Sequence, residues 1–246
     1  MEVAEYDNIF ANESTHFYYV AVHDCIIALI KRYAFKGSPL RILDAGCGTG
    51  FLAKKLKEFG DVEAVDMHDQ AIQYARNRGL SVTKASVEKL PFAPETFDLL
   101  TSIDVIYHKF VEDDVEALRQ FYSVLKPGGY LVLRVPAKPS LHSSHDHFVH
   151  TARRYERTDL RSKLKQVGFE IEVLTYCQGS LFIPAWVKAR MDQQTATKQH
   201  SVIEHQSRWL NRAISAILKM ENRMILAGFD IPTGIGLVTV CRKPLR

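Results

Sequence analysis

The sequence predicts an α/β fold in which a parallel sheet is covered by helices. Apolar runs of strand length alternate with amphipathic runs of helical length from Leu40 to about Phe169. A turn with three glycines joins the first predicted strand of this series to the first predicted helix. The chain has 246 residues, of which 46% are hydrophobic and 24% are charged, so it can bury the core of one globular domain.

Five strands are predicted in the alternating part of the chain. They are Arg41–Ala45, Val62–Asp66, Ser81–Ala85, Phe97–Ile103 and Tyr130–Val135. The helices predicted between them are Phe51–Phe59, Gln70–Arg78 and Asp113–Leu125. The third helix is expected to stop at Lys126–Gly129, because this Lys-Pro-Gly-Gly sequence cannot continue a helix.

The alternation changes after Pro136. The predicted elements that follow are a four-histidine loop (Leu141–His150), a helix (Thr158–Val167) and two strands (Phe169–Cys177 and Gly234–Cys241). Residues 6–33 and 180–230 are expected to be mostly helical, with apolar positions at helical spacing over Ile203–Leu226. We therefore predict one domain made of a helical cap (1–36), a core (37–178), a helical insertion (179–232) and a closing strand (233–246).

Charge and cysteine content exclude several classes of protein. The formal net charge is +4, and lysine and arginine are spread along the chain without a basic run that interleaves aromatics, so no nucleic-acid partner is expected. The four cysteines lie far apart without a CxxC pair, so neither a metal site nor a disulfide framework is expected. An acidic N-terminus and short apolar stretches predict no signal peptide and no transmembrane segment, hence a cytoplasmic protein.

Residues 43–50, Leu-Asp-Ala-Gly-Cys-Gly-Thr-Gly, are the most informative part of the sequence. Gly46, Gly48 and Gly50 follow an apolar strand and open a helix, where glycine lets a ligand approach the backbone closely. Asp44 can accept hydrogen bonds from a bound ammonium group. Asp66 ends the second strand, where a carboxylate can accept hydrogen bonds from two adjacent ribose hydroxyls.

These residues resemble a known superfamily, the class I S-adenosylmethionine-dependent methyltransferases, in its small-molecule branch. Leu43–Gly50 resembles the first motif of that superfamily, and Ser86–Leu100 and Leu125–Leu133 resemble later landmarks. The glycine spacing is GxGxG, whereas NAD dehydrogenases usually have GxGxxG. The resemblance implies a Rossmann-like sheet of seven strands with the last antiparallel, an N-terminal helical cap and a helical insertion before the last strand. It also implies an enzyme that uses S-adenosyl-L-methionine and releases S-adenosyl-L-homocysteine.

The same resemblance implies which residues bind the cofactor. Asp66 would hold the ribose, Met67 would pack on the adenine, and Ser86 would border the adenine edge. The other implied contacts are Asp44, Gly46, Cys47, Gly48, Gly50, Val87, Ile103 and Asp104. Many relatives carry aspartate where Ser86 stands, and a neutral serine is expected to make a weaker contact with the adenine amino group.

Candidates for the acceptor side follow the fourth and fifth strands. Related enzymes often carry Glu-His where this chain has Tyr107 and His108, so a carboxylate is lost there; His108 is either catalytic or a histidine at a helix start. Tyr107 is a candidate for acceptor binding, together with Tyr19 in the aromatic segment His16–His23. This segment and Leu181–Trp186 fit either an apolar lid or ordinary core.

The histidine loop offers a second group of candidates. His145 and Asp146 are proposed as catalytic residues, because a neutral histidine can accept a proton and a carboxylate can orient its ring. His150 is a candidate for acceptor binding. The Ser-His-Asp sequence with Arg153–Tyr155 after it resembles a bacterial branch of these methyltransferases. A metal site and a plain surface loop are the alternatives, and the two arginines fit either an anionic acceptor or a structural ion pair.

The function expected from the sequence is methyl transfer to an oxygen or nitrogen atom of a small or medium-sized, hydrophobic organic acceptor. Specialised metabolites and glycolipid-type compounds are the acceptor classes considered. Two alternatives remain open: C-methylation of a quinone-like or polyketide-like ring, and a non-catalytic binding protein with a methyltransferase fold. The stretch Ile103–Tyr107 has no NPPY-like tetrapeptide, which disfavours nucleobase N-methylation.

Overall fold

A computed structural model describes residues 3–194 and 207–245 and places seven strands in one sheet. The strands are β1 (Leu40–Ala45), β2 (Gly60–Asp66), β3 (Ser81–Lys84), β4 (Phe97–Ile103), β5 (Leu125–Pro136), β6 (Glu170–Cys177) and β7 (Gly236–Arg242). Their order across the sheet is β3-β2-β1-β4-β5-β7-β6, and β7 runs antiparallel to both of its neighbours. The Rossmann-like sheet with an antiparallel last strand is confirmed.

Helices cover the sheet and extend above the carboxyl ends of its parallel strands. They are α1 (Val3–Asn12), α2 (Phe17–Tyr33), α3 (Phe51–Leu56), α4 (Asp69–Asn77), α5 (Asp114–Val124), α6 (Ser144–Phe148), α7 (Arg157–Val167), α8 (Phe182–Gln194) and α9 (Arg208–Leu226). Residues 203–206 of the predicted apolar helix lie outside the described residues. None of the helices described is both long and apolar enough to cross a membrane.

Helix α3 is shorter than the predicted Phe51–Phe59. It ends at Leu56, because the chain must turn tightly to reach β2 at Gly60. A Cβ at Gly60 would lie 1.9 Å from the carbonyl oxygen of Leu40, so only glycine allows this approach. Phe59 is apolar because it is buried in the main core, not because the helix continues.

Two further differences concern β5 and the histidine loop. Strand β5 begins at Leu125, before the predicted start at Tyr130, and a register shift relative to β4 accommodates the Lys-Pro-Gly-Gly sequence. The histidine loop contains the short helix α6. A capping box starts this helix: Ser143 and Asp146 satisfy each other's backbone N–H groups.

The N-terminal helices join the other elements at two places. On α1, the ring of Tyr6 stacks on His68, with centroids 4.6 Å apart, and the ring of Phe10 stacks on Tyr74 of α4 at 4.3 Å. Helix α2 packs along α9, where the Asn222 amide donates a 2.8 Å hydrogen bond to the carbonyl of Ala21. The cap and the insertion therefore meet above the carboxyl edge of the sheet.

Candidate active site

A cavity of about 770 Å³ opens at the carboxyl ends of β1, β2, β4 and β5. Side chains from α1, α2, α8 and α9 form its roof. Small-molecule sites in proteins usually measure roughly 300–1,000 Å³. The size and position of the cavity therefore suit a nucleoside cofactor together with a small acceptor.

The loop between β1 and α3 (Gly46–Gly50), here called the glycine loop, forms one wall of this cavity. The N–H groups of Gly46 and Cys47 both donate to the carbonyl of Val65, at 2.8 and 3.0 Å, and tie the loop to β2. Gly46 has a φ of +83°, and a Cβ there would lie 2.4 Å from Val105 Cγ2. Gly48 has a φ of +54°, and a Cβ there would meet no atom within 4 Å. The space beside Gly48 is therefore left open to the cavity.

Asp66 lies beside this loop with both carboxylate oxygens oriented by the backbone. Oδ2 accepts a 2.9 Å hydrogen bond from the N–H of Gly48, and Oδ1 accepts one of the same length from His68. Burial raises its pKa, and these backbone bonds lower it. Each oxygen keeps a second lone pair, as two adjacent ribose hydroxyls require. The fixed carboxylate and the open space at Gly48 fit S-adenosylmethionine.

Asp44 and Asp104 add two carboxylates to the cavity wall. Asp44 is buried and accepts a 2.7 Å hydrogen bond from the Thr101 hydroxyl, and burial raises its pKa to about 7. Asp104 has a φ of +56°, and its Oδ2 pairs with Arg134. Asp104 Oδ1 is buried and has no hydrogen-bond partner among the described residues. A cationic ammonium group of a ligand would match these carboxylates.

Arg134 is a cavity residue that the sequence reasoning missed. It lies on β5 with 2% of its surface exposed, and its guanidinium pairs with Asp104 and donates a 2.8 Å hydrogen bond to the Gln178 side chain. It also lies 5.3 Å from the centre of the Tyr18 ring. Gly236 leaves room for it, because a Cβ there would be 2.6 Å from Arg134 Nη2. The signal that could have revealed it is the presence of a charged residue inside the otherwise apolar strand Tyr130–Val135.

The remaining predicted cofactor residues divide into two groups. Cys47, Met67, Val87 and Ile103 line the cavity. Gly50 and Ser86 are not among its lining residues. A Cβ at Gly50 would lie 2.5 Å from Leu80 Cδ1, so this glycine permits close packing, and Ser86 Oγ accepts a 3.2 Å hydrogen bond from the Glu88 N–H. The adenine contact of Ser86 stays a prediction that this geometry does not favour.

Aromatic and aliphatic side chains surround the acceptor end of the cavity. Tyr19 and Tyr107, both predicted to bind the acceptor, line it, and burial raises the pKa of each phenol. Other lining residues of this part are Tyr18, Val22, Phe110, Val111, Leu141, Val149, Leu181, Pro184, Ala185, Ile214 and Ile235. An acceptor bound here would be largely removed from water.

Three histidines on the cavity wall are neutral at pH 7. Burial lowers the pKa of His108 and of His145 to about 4, and that of His23 to about 3. The Nδ1 atom of each is buried without a hydrogen-bond partner among the described residues. Because these nitrogens are buried, a bound acceptor reaches one of them only when the ring turns toward the cavity. The predicted residues His108 and His145 are therefore brought to the cavity together.

Asp146 lines the cavity, but its carboxylate is committed to structural contacts. Arg154 binds it with two hydrogen bonds, of 2.8 and 3.0 Å, and the Ser143 N–H donates another at 2.9 Å. Both effects lower its pKa, although burial raises it. The structural ion pair considered for Arg154 is confirmed. This geometry disfavours Asp146 as a base and gives it the task of positioning α6, which carries His145.

The structure does not support two roles considered for the histidine loop, acceptor binding by His150 and metal binding. His150 is not among the residues that line the cavity; its ring lies 5.7 Å from Phe110. Within residues 3–194 and 207–245, no group of three histidine, cysteine or acidic side chains is arranged to hold a metal ion. The second arginine, Arg153, donates a 2.8 Å hydrogen bond to the carbonyl of Val111.

The cap contributes two carboxylates that sequence reasoning missed, Glu5 and Glu13. Both line the cavity, and both are nearly fully buried. Glu13 accepts a hydrogen bond from the Thr49 hydroxyl in the glycine loop and pairs with Arg78 at the end of α4. Neither residue stands in a recognisable motif, so no local signal pointed to them.

Comparison with known proteins agrees with this geometry. Residues 43–133 match a family model described as a methyltransferase domain. Over 127 residues the chain is 33% identical to the ubiquinone/menaquinone biosynthesis C-methyltransferase UbiE of Proteus mirabilis, covering 45% of this chain and 50% of that protein. Over 115 residues it is 33% identical to the malonyl-[acyl-carrier protein] O-methyltransferase of Erwinia pyrifoliae, covering 46% and 43%. The chain thus spans half, or less, of the length of these relatives.

A solved structure is similar over nearly the whole chain. It is a methyltransferase from Thermotoga maritima described as a "possible histamine N-methyltransferase", with a TM-score of 0.64 and 22% identity over 98% of this chain and 95% of that one. This likeness supports the fold alone. Residues 43–133 therefore carry a methyltransferase domain, as the resemblance of the motifs to class I S-adenosylmethionine-dependent methyltransferases implies.

Proposed function

We propose that this protein transfers a methyl group to an oxygen or nitrogen atom of a small or medium-sized, hydrophobic organic acceptor. The observation that supports the proposal most is the single cavity that joins the glycine loop and Asp66 to a largely apolar acceptor region. S-adenosylmethionine, when bound, supplies a methyl group on a positively charged sulfur, and S-adenosylhomocysteine is the product.

The residues of the chain do three things in this proposal. Asp66 and the backbone around Gly48 hold and orient the cofactor, while Asp44 and Asp104 face its cationic groups. The apolar wall excludes water and holds the acceptor near the reacting carbon, and such positioning supplies much of the rate of a transfer between two bound molecules. Since the cap and the insertion roof the cavity, both take part in enclosing the acceptor.

His145, which lines the cavity, orients the acceptor through a ring nitrogen turned toward it. Its pKa of about 4 means that the ring stays neutral at pH 7, so it is a hydrogen-bond acceptor and only a weak base. An acceptor O–H or N–H that donates to this atom would direct its lone pair toward the methyl group. The proton passes to the ring nitrogen as the new bond forms, and the ring releases it to solvent after the product has left. Because burial keeps the rings of His23, His108 and His145 neutral, we expect the acceptor to be bound in its neutral form beside them.

C-methylation is the second candidate. The name of the Proteus mirabilis relative, a C-methyltransferase of quinone biosynthesis, favours it. A planar ring also suits a pocket walled by Tyr18, Tyr19 and Tyr107. A quinone-like or polyketide-like ring is the acceptor under this alternative, and the fold would be the same.

We also propose that the protein works in the cytoplasm. The four cysteines are free and buried, which fits a reducing environment such as the cytoplasm. A small-molecule acceptor is the proposed partner.

One experiment separates the candidates. The purified protein is incubated with S-adenosylmethionine carrying a ¹³C-labelled methyl group and a panel of hydrophobic phenols, amines and quinols. The ¹³C chemical shift of the product distinguishes O-, N- and C-methyl groups. An Asp66→Ala variant serves as the inactive control. A protein that binds neither S-adenosylmethionine nor S-adenosylhomocysteine at millimolar concentration would be a binding protein with a methyltransferase fold.

A further inference from the structure

Helix α9 has apolar side chains on its exposed side as well as on the side that packs against the rest of the protein. Leu218 and Ile225 are buried against the rest of the chain. Another set of apolar residues recurs every three or four positions and so shares one face of the helix: Trp209, Ala213, Ile217, Met220 and Met224. We call this set the apolar stripe. The apolar stripe lies beside the buried face of the helix and shares no residue with it.

The apolar stripe is open to solvent in the described part of the chain. The exposed fraction is 72% for Trp209, 59% for Met220, 47% for Ile217 and 41% for Met224. Single exposed apolar side chains are ordinary on protein surfaces, but a contiguous row of large ones marks an interaction surface. Something apolar is therefore expected to cover this face.

A row of cations borders the apolar stripe. Arg208, Arg212, Lys219 and Arg223 share one side of the helix at intervals of four, seven and four positions, and we call them the basic stripe. None of them forms an ion pair within the described residues. The single acid of α9, Glu221, is buried and accepts hydrogen bonds from the N–H groups of Gly179 and Ser180, at 2.9 and 3.2 Å. The solvent-facing surface of α9 is therefore apolar and cationic only.

Helix α8 presents a similar surface. Ile183, Trp186 and Val187 are 70%, 41% and 44% exposed, and the Arg190 guanidinium lies 5.3 Å from the centre of the Trp186 ring. Both helices also line the cavity, α8 through Lys188 and its neighbours and α9 through Ile214. These exposed apolar side chains thus belong to two of the helices that enclose the cavity.

We propose that α9, with α8, binds the surface of a bilayer that contains anionic phospholipids. The apolar stripe enters the boundary of the acyl chains, and the basic stripe contacts the headgroup phosphates. Tryptophan at the first turn of α9 and in α8 suits the interfacial region, where its ring is partly buried and its N–H stays near water. A helix with an apolar face and a lysine- and arginine-rich face is the form that lies in a membrane interface.

A second copy of the chain fits this surface less well. In an antiparallel pair of α9 helices joined along the apolar stripe, the two basic stripes would lie against each other. Like charges across an interface are unfavourable, and no exposed acid on α9 relieves them. An anionic lipid surface complements both stripes at once.

One consequence rests on the proposed function. If the chain methylates a hydrophobic acceptor, a bilayer-bound α8–α9 surface would let that acceptor enter the cavity from the lipid without crossing water. The binding of the surface itself needs neither cofactor nor acceptor, so it is tested separately from methyl transfer.

The test is co-sedimentation of the full chain with vesicles. Vesicles of phosphatidylcholine alone are compared with vesicles of phosphatidylcholine mixed with phosphatidylglycerol. We expect binding only to the anionic vesicles, and weaker binding at high salt. The Arg212→Gln/Lys219→Gln variant should bind roughly 30-fold more weakly, because each cation near such a surface contributes a factor of about five. The Ile217→Ser/Met220→Ser variant should lose roughly tenfold or more.

Matched controls lie at the opposite edge of the sheet. Leu245→Ser removes an apolar side chain that is 68% exposed, and Lys165→Gln removes an exposed cation near the end of α7; both should bind as the unmodified protein does. Thermal unfolding and S-adenosylhomocysteine affinity show whether each variant is folded. The proposal is overturned if the unmodified protein ignores anionic vesicles or if the folded α9 variants bind normally. A dimer that is lost in the Ile217→Ser/Met220→Ser variant, without vesicle binding, would instead assign the surface to a second copy.

Discussion

The carboxylate of Glu13 accepts a hydrogen bond from the hydroxyl of Thr49, which ties the N-terminal cap to the glycine loop. The same carboxylate pairs with Arg78, and all three groups are largely withdrawn from solvent. Burial raises the pKa of Glu13 to about 7, while Thr49 and Arg78 lower it. Docking of the cap and the shape of the cofactor loop therefore depend on one another.

Replacing Glu13 tests this dependence. In Glu13→Gln, Arg78 loses its buried anionic partner, and we expect the affinity for S-adenosylhomocysteine to fall roughly tenfold. Titration calorimetry measures the affinity, and limited proteolysis within α1 reports release of the cap. Asp7→Asn is the control, because Asp7 contacts Tyr74 from the same helix at an exposed position. Unchanged affinity and unchanged proteolysis in Glu13→Gln would show that the cap is independent of the loop.

We predict that the buried position of the Arg134 guanidinium requires glycine at position 236. A methyl group at this position would lie 2.6 Å from Nη2 of a guanidinium already fixed by Asp104 and Gln178. We expect Gly236→Ala to lower the free energy of unfolding by about 1–3 kcal/mol, as overpacked interiors do. Urea denaturation measures this loss.

A double-mutant cycle identifies the clashing partner. If Arg134 is the residue displaced, Gly236→Ala should cost less in an Arg134→Met background than in the unmodified protein. Equal costs in the two backgrounds would assign the strain to another neighbour, such as Cys177, whose Sγ would lie 3.0 Å from the added carbon.

His145 is predicted to act on the acceptor and not on the cofactor. His145→Ala should lower kcat by roughly 10- to 100-fold while S-adenosylhomocysteine affinity changes less than about twofold. His147→Ala is the matched control, because His147 lies on the same short helix with its side chain exposed. Equal kcat for the unmodified protein and His145→Ala would remove this histidine from the reaction.

Cofactor affinity is predicted to rise with pH because of Asp44. Its pKa of about 7 means that the free protein holds a proton there below neutral pH, whereas a cationic ligand favours the ionised carboxylate. Binding of S-adenosylmethionine should therefore release a proton below about pH 7, and affinity should increase until Asp44 is ionised in the free protein. Calorimetry in buffers of different ionisation enthalpy counts the protons. Asp44→Asn, which can still accept from Thr101, should release fewer; equal release would assign the proton elsewhere.

Much of the cofactor half of the site could be predicted from the sequence because its determinants are local. The glycines at 46 and 48 directly follow a strand that its apolar run reveals, and Asp66 ends the next such strand. Since neighbouring parallel strands end at one edge of the sheet, their terminal residues must lie close together. The strand Phe97–Ile103 was predicted with the bounds that the structure shows.

The rest could not be predicted because it depends on contacts between distant segments. Glu13 reaches Thr49 across 36 positions, and Arg134 reaches Gln178 across 44. The partner of Asp146 was not predictable either: the sequence predicts that its carboxylate orients a histidine ring, whereas in the structure it binds Arg154. The Ser86 hydroxyl accepts a hydrogen bond from the backbone N–H of Glu88, two residues later. Serine side chains often make such local bonds to the backbone, so the loss of an adenine contact could not be predicted.

The central claim, that Asp66 and the glycine loop hold a sulfonium nucleoside, is tested most directly by titration of S-adenosylhomocysteine into the unmodified protein and into Asp66→Ala. Loss of two ribose hydrogen bonds to a carboxylate, about 3 kcal/mol together, predicts roughly 100-fold weaker binding in the variant. Glu63→Gln, on the same strand but paired with Arg41 at the surface, should bind normally. Equal affinity in a folded Asp66→Ala protein would contradict the account.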